Sequence, residues 1–315
     1  MAKNGDGSVL RTILTIIGII SGLLSLIFIG FVLFVIISAA TGTPAVGTGN
    51  VAVIPIKGVI SQEGSGSFGE SGVSSDEVVR WIQDADADPS IKAVVFDIDS
   101  PGGLPVASEE ISHAILGMNK TSVALIHELG ASGAYWVASS TDRIFASRMS
   151  LVGSIGVVAS YIDFSGTLTR YNATYHSLTA GDLKDTGSPF KPLTEREETM
   201  LLAQLDVMHQ YFIQSVAENR GLPEDKVRKL ANGWVYLGSE ALDNGLIDEI
   251  GNKDDVVAYL EDDLDEPVSL VEYHVPLGFF QSLTGVMSKA FFEMGKGIGY
   301  ALSTPHVESQ LRVVT

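Results

Sequence analysis

Residues 123–139 read Val-Ala-Leu-Ile-His-Glu-Leu-Gly-Ala-Ser-Gly-Ala-Tyr-Trp-Val-Ala-Ser, and no other stretch constrains the fold as tightly. An apolar run of strand length enters Gly130-Ala131-Ser132-Gly133-Ala134, and small residues then give way to a buried-helix pattern. Ser132 therefore stands at a strand-to-helix corner. The flanking glycines let the chain turn sharply, and the first amides of the helix lack internal partners, so they face whatever the hydroxyl attacks. An acyl-transfer nucleophile would be placed in this way; a tight packing corner would read the same.

Residues 91–98, Ile-Lys-Ala-Val-Val-Phe-Asp-Ile, have the near-continuous apolarity of a parallel strand buried on both faces. Asp99-Ser100-Pro101-Gly102-Gly103 ends that strand, and an amphipathic segment follows over residues 106–116. Strand, helix, strand, glycine corner, helix, strand, serine corner, helix is an α/β order with right-handed crossovers. Sites in such sheets form at the carboxyl ends of strands, which brings Gly102 and Gly103 beside Ser132. One amide from each corner would make an oxyanion hole, although Pro-Gly-Gly alone also reads as a turn.

Elsewhere the pattern predicts an edge strand around Pro55 over residues 51–60 and a loop over 62–75. A helix is expected from Ser75, with strands at residues 142–146 and 175–178. Residues 150–157 form a glycine-interrupted apolar run, and residues 179–189 an irregular loop carrying Lys184. Thr194 with Glu197 forms a capping box for a long helix that Gly221 closes.

Residues 12–40 contain no charge, and the 27 residues from 12 to 38 would span roughly 40 Å as a helix, beyond the roughly 30 Å hydrocarbon core. A cleaved signal peptide would have a shorter apolar region, so a retained, tilted anchor is expected. Lys3 and Arg11 precede it and the next basic residue is Lys57, which puts residues 1–11 in the cytoplasm and the rest outside. Residues 41–50 read as a linker. A net charge of −18 with scattered basic residues argues against nucleic acid, and zero cysteines exclude a thiol nucleophile or zinc-thiolate site.

A serine hydroxyl needs a base. His127 lies within the strand before the corner, and His113, His176, His209, His274 and His306 lack a matching carboxylate motif. The Gly-x-Ser-x-Gly elbow is not met either. A lysine serves only when neutral, which burial achieves by lowering an ammonium pKa from about 10.4 towards about 7, at roughly 4 kcal/mol. Lys184 could be tucked under a sheet in this way, or be a plain exposed loop lysine beside Asp182 and Asp185; the catalytic reading needs both acids turned away.

Five motifs in order decide between these. Asp99-Ser100-Pro101-Gly102-Gly103, Ala131-Ser132-Gly133-Ala134-Tyr135, Gly153-Ser154-Ile155-Gly156-Val157, Ala180-Gly181-Asp182-Leu183-Lys184-Asp185, and Gly238-Ser239-Glu240-Ala241 through Gly245-Leu246-Ile247-Asp248-Glu249-Ile250-Gly251 together resemble signal peptide peptidase A. The resemblance implies a ClpP/crotonase-like α/β fold and a membrane-anchored serine endopeptidase that degrades signal-peptide remnants with a Ser/Lys dyad, without metal or other cofactor. It assigns Ser132 as nucleophile, Lys184 as general base, the Gly103 and Gly133 amides as oxyanion donors, and Ser154 as a support for the lysine. With no internal repeat the chain is a short form, implying a ring of copies that share sites between neighbours. The domains expected are the anchor at 12–40, a peptidase domain at 51–266 and a segment at 267–315 that departs from the family pattern. Within it, residues 277–302 carry apolar residues at helical spacing, fit for a membrane surface, a subunit contact, binding near the cleft or core packing. The rival readings are a related protease acting on membrane partner proteins, and a non-catalytic scaffold or acyl-CoA-binding relative.

Overall fold

The parallel sheet follows from its apolar strands. The computed structural model describes residues 49–64 and 72–273, with scattered helical positions between residues 15 and 31. In chain order the elements are β1 (Val51–Lys57), β2 (Val59–Ser61), β3 (Gly72–Ser74), α1 (Ser75–Ala87), β4 (Ala93–Ser100), α2 (Pro105–Leu116), β5 (Thr121–Ala131), α3 (Gly133–Ser139), β6 (Arg143–Ala146) and β7 (Leu151–Gly153). There follow α4 (Ser165–Arg170), α5 (Glu195–Arg220), α6 (Glu224–Leu230), β8 (Val235–Leu237), α7 (Gly238–Asn244), β9 (Glu249–Ile250), α8 (Lys253–Leu264) and β10 (Leu270–Glu272). The strands lie in the order β10-β1-β4-β5-β6-β9, all parallel, and β7 joins β5 in parallel and β8 antiparallel.

Both faces of the sheet are covered, as unbroken apolar strands require. On one face Ile54, Ile56, Phe96, Ile98 and Ile126 pack with α1, α2 and α3; on the other Val53, Val95, Val123 and Leu125 meet Val256 and Leu260 of α8. Each large side chain enclosed in this way contributes about 1.5–3 kcal/mol of transfer free energy. Ser74 caps α1 through the Glu77 amide, and the Thr194–Glu197 capping box and left-handed Gly221 bound α5 as the sequence predicts.

Three local expectations are corrected. Residues 51–57 form an internal strand, not an edge: β1 lies between β10 and β4, and Pro55 is accommodated because β10 reaches only Val51–Val53. Within the expected loop at 62–75, Gly72–Ser74 pairs with β2 as β3, while residues 65–71 lie outside the described residues. Residues 175–178 are not a strand. They are exposed, Leu178 completely at 100%, and pair with no strand among the described residues, which a strand's backbone groups require. No helix among the described residues is long and apolar enough to cross a membrane; most of the expected anchor, and all of residues 277–302, lie outside them.

Candidate active site

β5 changes partners midway, and that change builds the serine corner. Its residues Val123–Ile126 pair with β6, whereas Leu129–Ala131 pair with β7. Against β4 the register jumps from Ile98↔Ile126 to Ser100↔Gly130. The jump places the end of β5 beside the glycine corner that follows β4. Ser132 then donates its amide to the Gly153 carbonyl at 2.8 Å, while its own carbonyl accepts from Tyr135 at 2.9 Å and Trp136 at 3.0 Å, starting α3.

Ser132 is held at φ 53°, ψ −126°. An L-residue there carries of order 1–3 kcal/mol of strain, which only a rigid surround sustains. That surround is α3 itself, all seven residues of which are buried; Tyr135 is anchored by its hydroxyl to the Leu246 carbonyl at 2.8 Å.

The two glycine corners interlock around this serine. A Cβ on Gly102 (φ 96°) would lie 2.6 Å from the Gly133 nitrogen and 2.9 Å from the Ser132 Cβ; one on Gly133 would lie 3.3 Å from the Gly103 nitrogen. Gly102 and Leu104 make the contacts to β2, through Ile60 N–H to the Gly102 carbonyl and Leu104 N–H to the Ile60 carbonyl, both 2.9 Å. In such a parallel bridge the intervening Gly103 N–H points to the opposite side, and Gly103 is exposed. Ser100 fixes the corner by donating to the Gly58 carbonyl at 2.6 Å and accepting from the Gly102 amide at 3.1 Å.

A cavity of about 190 Å³ opens beside Ser132, Gly103 and Gly133. Its walls are apolar, with Leu104, Trp136, Val158, Met208 and Phe212 among them. Trp136 stacks on Phe212 with ring centroids 4.9 Å apart, fixing the floor. The space suits one aliphatic or aromatic side chain next to an attacked carbonyl. Sequence periodicity marks Met208 and Phe212 as one stripe of α5 but cannot show that the stripe ends in this cavity.

Lys184 does not line that cavity within the single chain. It sits exposed in consecutive turns closed by Lys184 N–H to the Gly181 carbonyl and Thr186 N–H to the Leu183 carbonyl, each 3.2 Å. Ser154 (φ 50°) follows β7 and donates its hydroxyl to the Gly233 carbonyl at 3.2 Å, not to Lys184. The structure thus brings Ser132, Gly103 and Gly133 together and leaves Lys184 apart from them. His127 is elsewhere too: its Nε2 meets Asp97, which also pairs with Lys57 at 2.6 Å, and all three line a separate cavity under α8. Among the described residues no cluster of His, Cys, Asp or Glu could hold a metal ion.

A parallel α/β sheet whose strand ends hold a strained serine between two glycine corners is suited to acyl transfer. Comparison with known proteins makes the class specific. Residues 115–266 match Peptidase family S49. The chain is 33% identical over 244 residues to the Putative protease MJ0651 of Methanocaldococcus jannaschii, covering 76% of this chain and 78% of that protein. It is 29% identical over 215 residues to a Putative signal peptide peptidase SppA of Enterococcus faecium, covering 67% of this chain and 62% of the relative. To Protease 4 of Haemophilus influenzae it is 32% identical over 210 residues, covering 66% of this chain but 34% of the relative. The chain belongs to peptidase family S49, the serine peptidases that include signal peptide peptidase A.

Proposed function

We propose that this chain is a membrane-anchored serine endopeptidase of ClpP/crotonase-like fold that degrades signal-peptide remnants and other extended apolar peptides on the extracytoplasmic side, with residues 12–40 as its anchor. The observation that carries the reading is the convergence of the Gly103 and Gly133 amides on a serine fixed at φ 53°. Neutral Lys184 takes the proton of Ser132 as the oxygen attacks the peptide carbonyl, and the two amides stabilise the oxyanion. Lysine then protonates the departing amine. Water, activated by the same lysine, hydrolyses the acyl-enzyme and regenerates the serine.

Lys184 reaches Ser132 from a neighbouring copy. Supporting this is the apolar surface exposed between β7 and the middle of α5: Val158 is 87% exposed, Ile162 67%, Tyr171 78%, Leu178 100% and Leu202 54%. Monomers seldom leave so many large apolar side chains exposed within one stretch of chain, here residues 158–202, whereas a second copy would bury them. The apolar cavity supports a preference for an apolar residue before the scissile bond.

Ser132→Ala and Lys184→Ala should each lose at least 10³-fold in turnover of an apolar fluorogenic peptide, and a mixture of the two dead variants should recover activity. Wild-type turnover in either single variant refutes the dyad. Absence of recovery in rings shown to be mixed refutes the shared site. Comparing a synthetic signal-peptide core with a folded membrane protein substrate separates remnant clearance from cleavage of membrane partners.

A further inference from the structure

The loop that bears Lys184 is tied down by one buried acid. Glu197, at the start of α5, has a side chain only 3% exposed. Its Oε1 accepts from the Thr186 hydroxyl at 3.0 Å and from the Lys191 ammonium at 2.7 Å. Its Oε2 accepts from the Thr194 amide at 2.8 Å and the Thr194 hydroxyl at 2.9 Å. All four donors come from residues 186–194, so a single carboxylate gathers the nine residues that begin two places after Lys184. The second interaction lies next to the lysine: Lys191 also pairs with Asp185 at 3.1 Å, and the Asp185 side chain is 19% exposed.

We propose that Glu197 and Lys191 are positioning residues for the general base: they fix the Lys184 loop and hold the Asp185 carboxylate on the α5 side, away from the Lys184 amine. The chemistry makes such a device necessary. A general-base lysine must give up its proton, and an adjacent free carboxylate opposes this by favouring the ammonium. Two acids flank Lys184 in sequence. Asp182 is exposed, so water and salt screen it; Asp185 is not, and Lys191 supplies its counter-charge. The charged groups identified around the loop are Asp182 and Asp185 on the loop itself, Lys191 beyond it, and Glu197 from α5. Glu197 in turn keeps Lys191 in place, and its own pKa is drawn down to about 2, first by Lys191 and then by the Thr194 amide. The capping box visible in the sequence thus has a second purpose: the side chain that caps α5 also anchors the loop.

This inference rests on Lys184 acting as base, and its test keeps the two apart. The rate–pH profile of kcat is measured for Lys191→Met, Lys191→Arg, Asp185→Asn/Lys191→Met and Glu197→Gln/Lys191→Met, each checked for assembly and thermal melting. Lys191→Met should move the acid limb of kcat up by about one pH unit, lowering the rate near neutrality by about 10-fold with KM within about 3-fold. Lys191→Arg should restore the wild-type limb, and Asp185→Asn/Lys191→Met should bring the limb back although Lys191 is still missing. Should Lys191→Met fail to fold because Glu197 is left unpaired, Glu197→Gln/Lys191→Met removes that burial and should show the same upward shift. A lower rate with an unmoved limb, or a shift that Asp185→Asn does not reverse, overturns the inference while leaving the dyad intact. A fully active Lys184→Ala overturns the dyad itself.

Discussion

Replacing Gly103 by alanine probes the proposed oxyanion pair most directly. A Cβ at this position would stand 1.9 Å from the Ile60 carbonyl oxygen and 2.6 Å from both the Ile60 carbonyl carbon and nitrogen. Real Cβ atoms stay beyond about 3.0 Å, so the corner and β2 must separate by about 1 Å. The obstacle is main chain, and Ile60 is fully buried, so no side-chain rotation relieves it. The corner must therefore move, and the Gly103 amide moves with it. Loss of one oxyanion donor costs about 10²–10³ in kcat, and a misplacement of about 1 Å alone costs on the order of 10². Gly103→Ala should therefore lose about 10²–10³ in kcat, with KM nearly unchanged because the peptide is gripped elsewhere. Gly133→Ala supplies the contrast. Its Cβ would meet the Ser108 hydroxyl at 2.2 Å, the far end of a side chain, with the Ser108 Cβ next at 3.1 Å. Trimming that hydroxyl in Gly133→Ala/Ser108→Ala should recover part of the lost activity, at the expense of the Ser108-to-Leu104 hydrogen bond of 3.0 Å. The assay is single-turnover acylation with a fluorogenic apolar peptide, alongside melting curves. A Gly103→Ala enzyme that melts as wild type and keeps more than a third of its kcat would refute the assignment of this amide.

Three further outcomes are expected. Leu104→Trp, at an exposed wall of the apolar cavity, should cut kcat/KM for leucine-sized residues before the scissile bond by about 10–100-fold and spare alanine, as a substrate-series assay would show. Arg220 grips Asp248 through two bonds of 2.7 and 3.0 Å with its side chain 7% exposed; Arg220→Ala should destabilise by about 2–4 kcal/mol, read as a drop on the order of 5–10 °C in melting temperature. The Glu197 pKa is lowered from 4.5 to about 2, so its stabilisation is complete above about pH 4.5 and is lost as pH falls towards 2; melting temperature in that window should fall more steeply in the wild type than in Glu197→Gln.

Much of the fold is legible in the chain because buried parallel strands leave long apolar runs, as residues 91–98 do, and because glycine corners end them abruptly. The nearness of Gly102 and Gly103 to Ser132 follows from the element order, since both corners lie at the carboxyl ends of the neighbouring strands β4 and β5. The choice of Gly103 and Gly133 as the pair rests instead on the resemblance to signal peptide peptidase A. What escaped has equally physical causes. Pro55 suggested an edge strand, but tolerance depends on how far the neighbouring strand extends, and β10 is only three residues long. The sequence predicts a strand at residues 175–178, yet Tyr175 and Leu178 are exposed in the single chain, so apolar residues in a short segment do not by themselves supply a neighbouring strand. The ties from Lys191 to Asp185 and Glu197 have no periodicity, and a contact between loop side chains leaves no trace in hydrophobic spacing.

The two halves of the proposed dyad are supported by unlike scaffolds, and the difference bears on how activity is controlled. Ser132 is fixed by a wholly buried helix and two interlocked main-chain corners, so the proposed oxyanion pair is set within the single chain. Preorganised dipoles of this kind are effective because they need not reorient during the reaction. Lys184 is carried instead on an exposed loop, ordered by one carboxylate and lying outside the serine's cavity. On the proposed reading a single copy therefore holds the nucleophile and both oxyanion donors but not the base. In the proposed reading, assembly delivers the base, and the exposed apolar surface that drives assembly flanks the loop that carries it. On that reading proteolysis is a property of the assembled particle, and an isolated chain, lacking the base beside its serine, is inert.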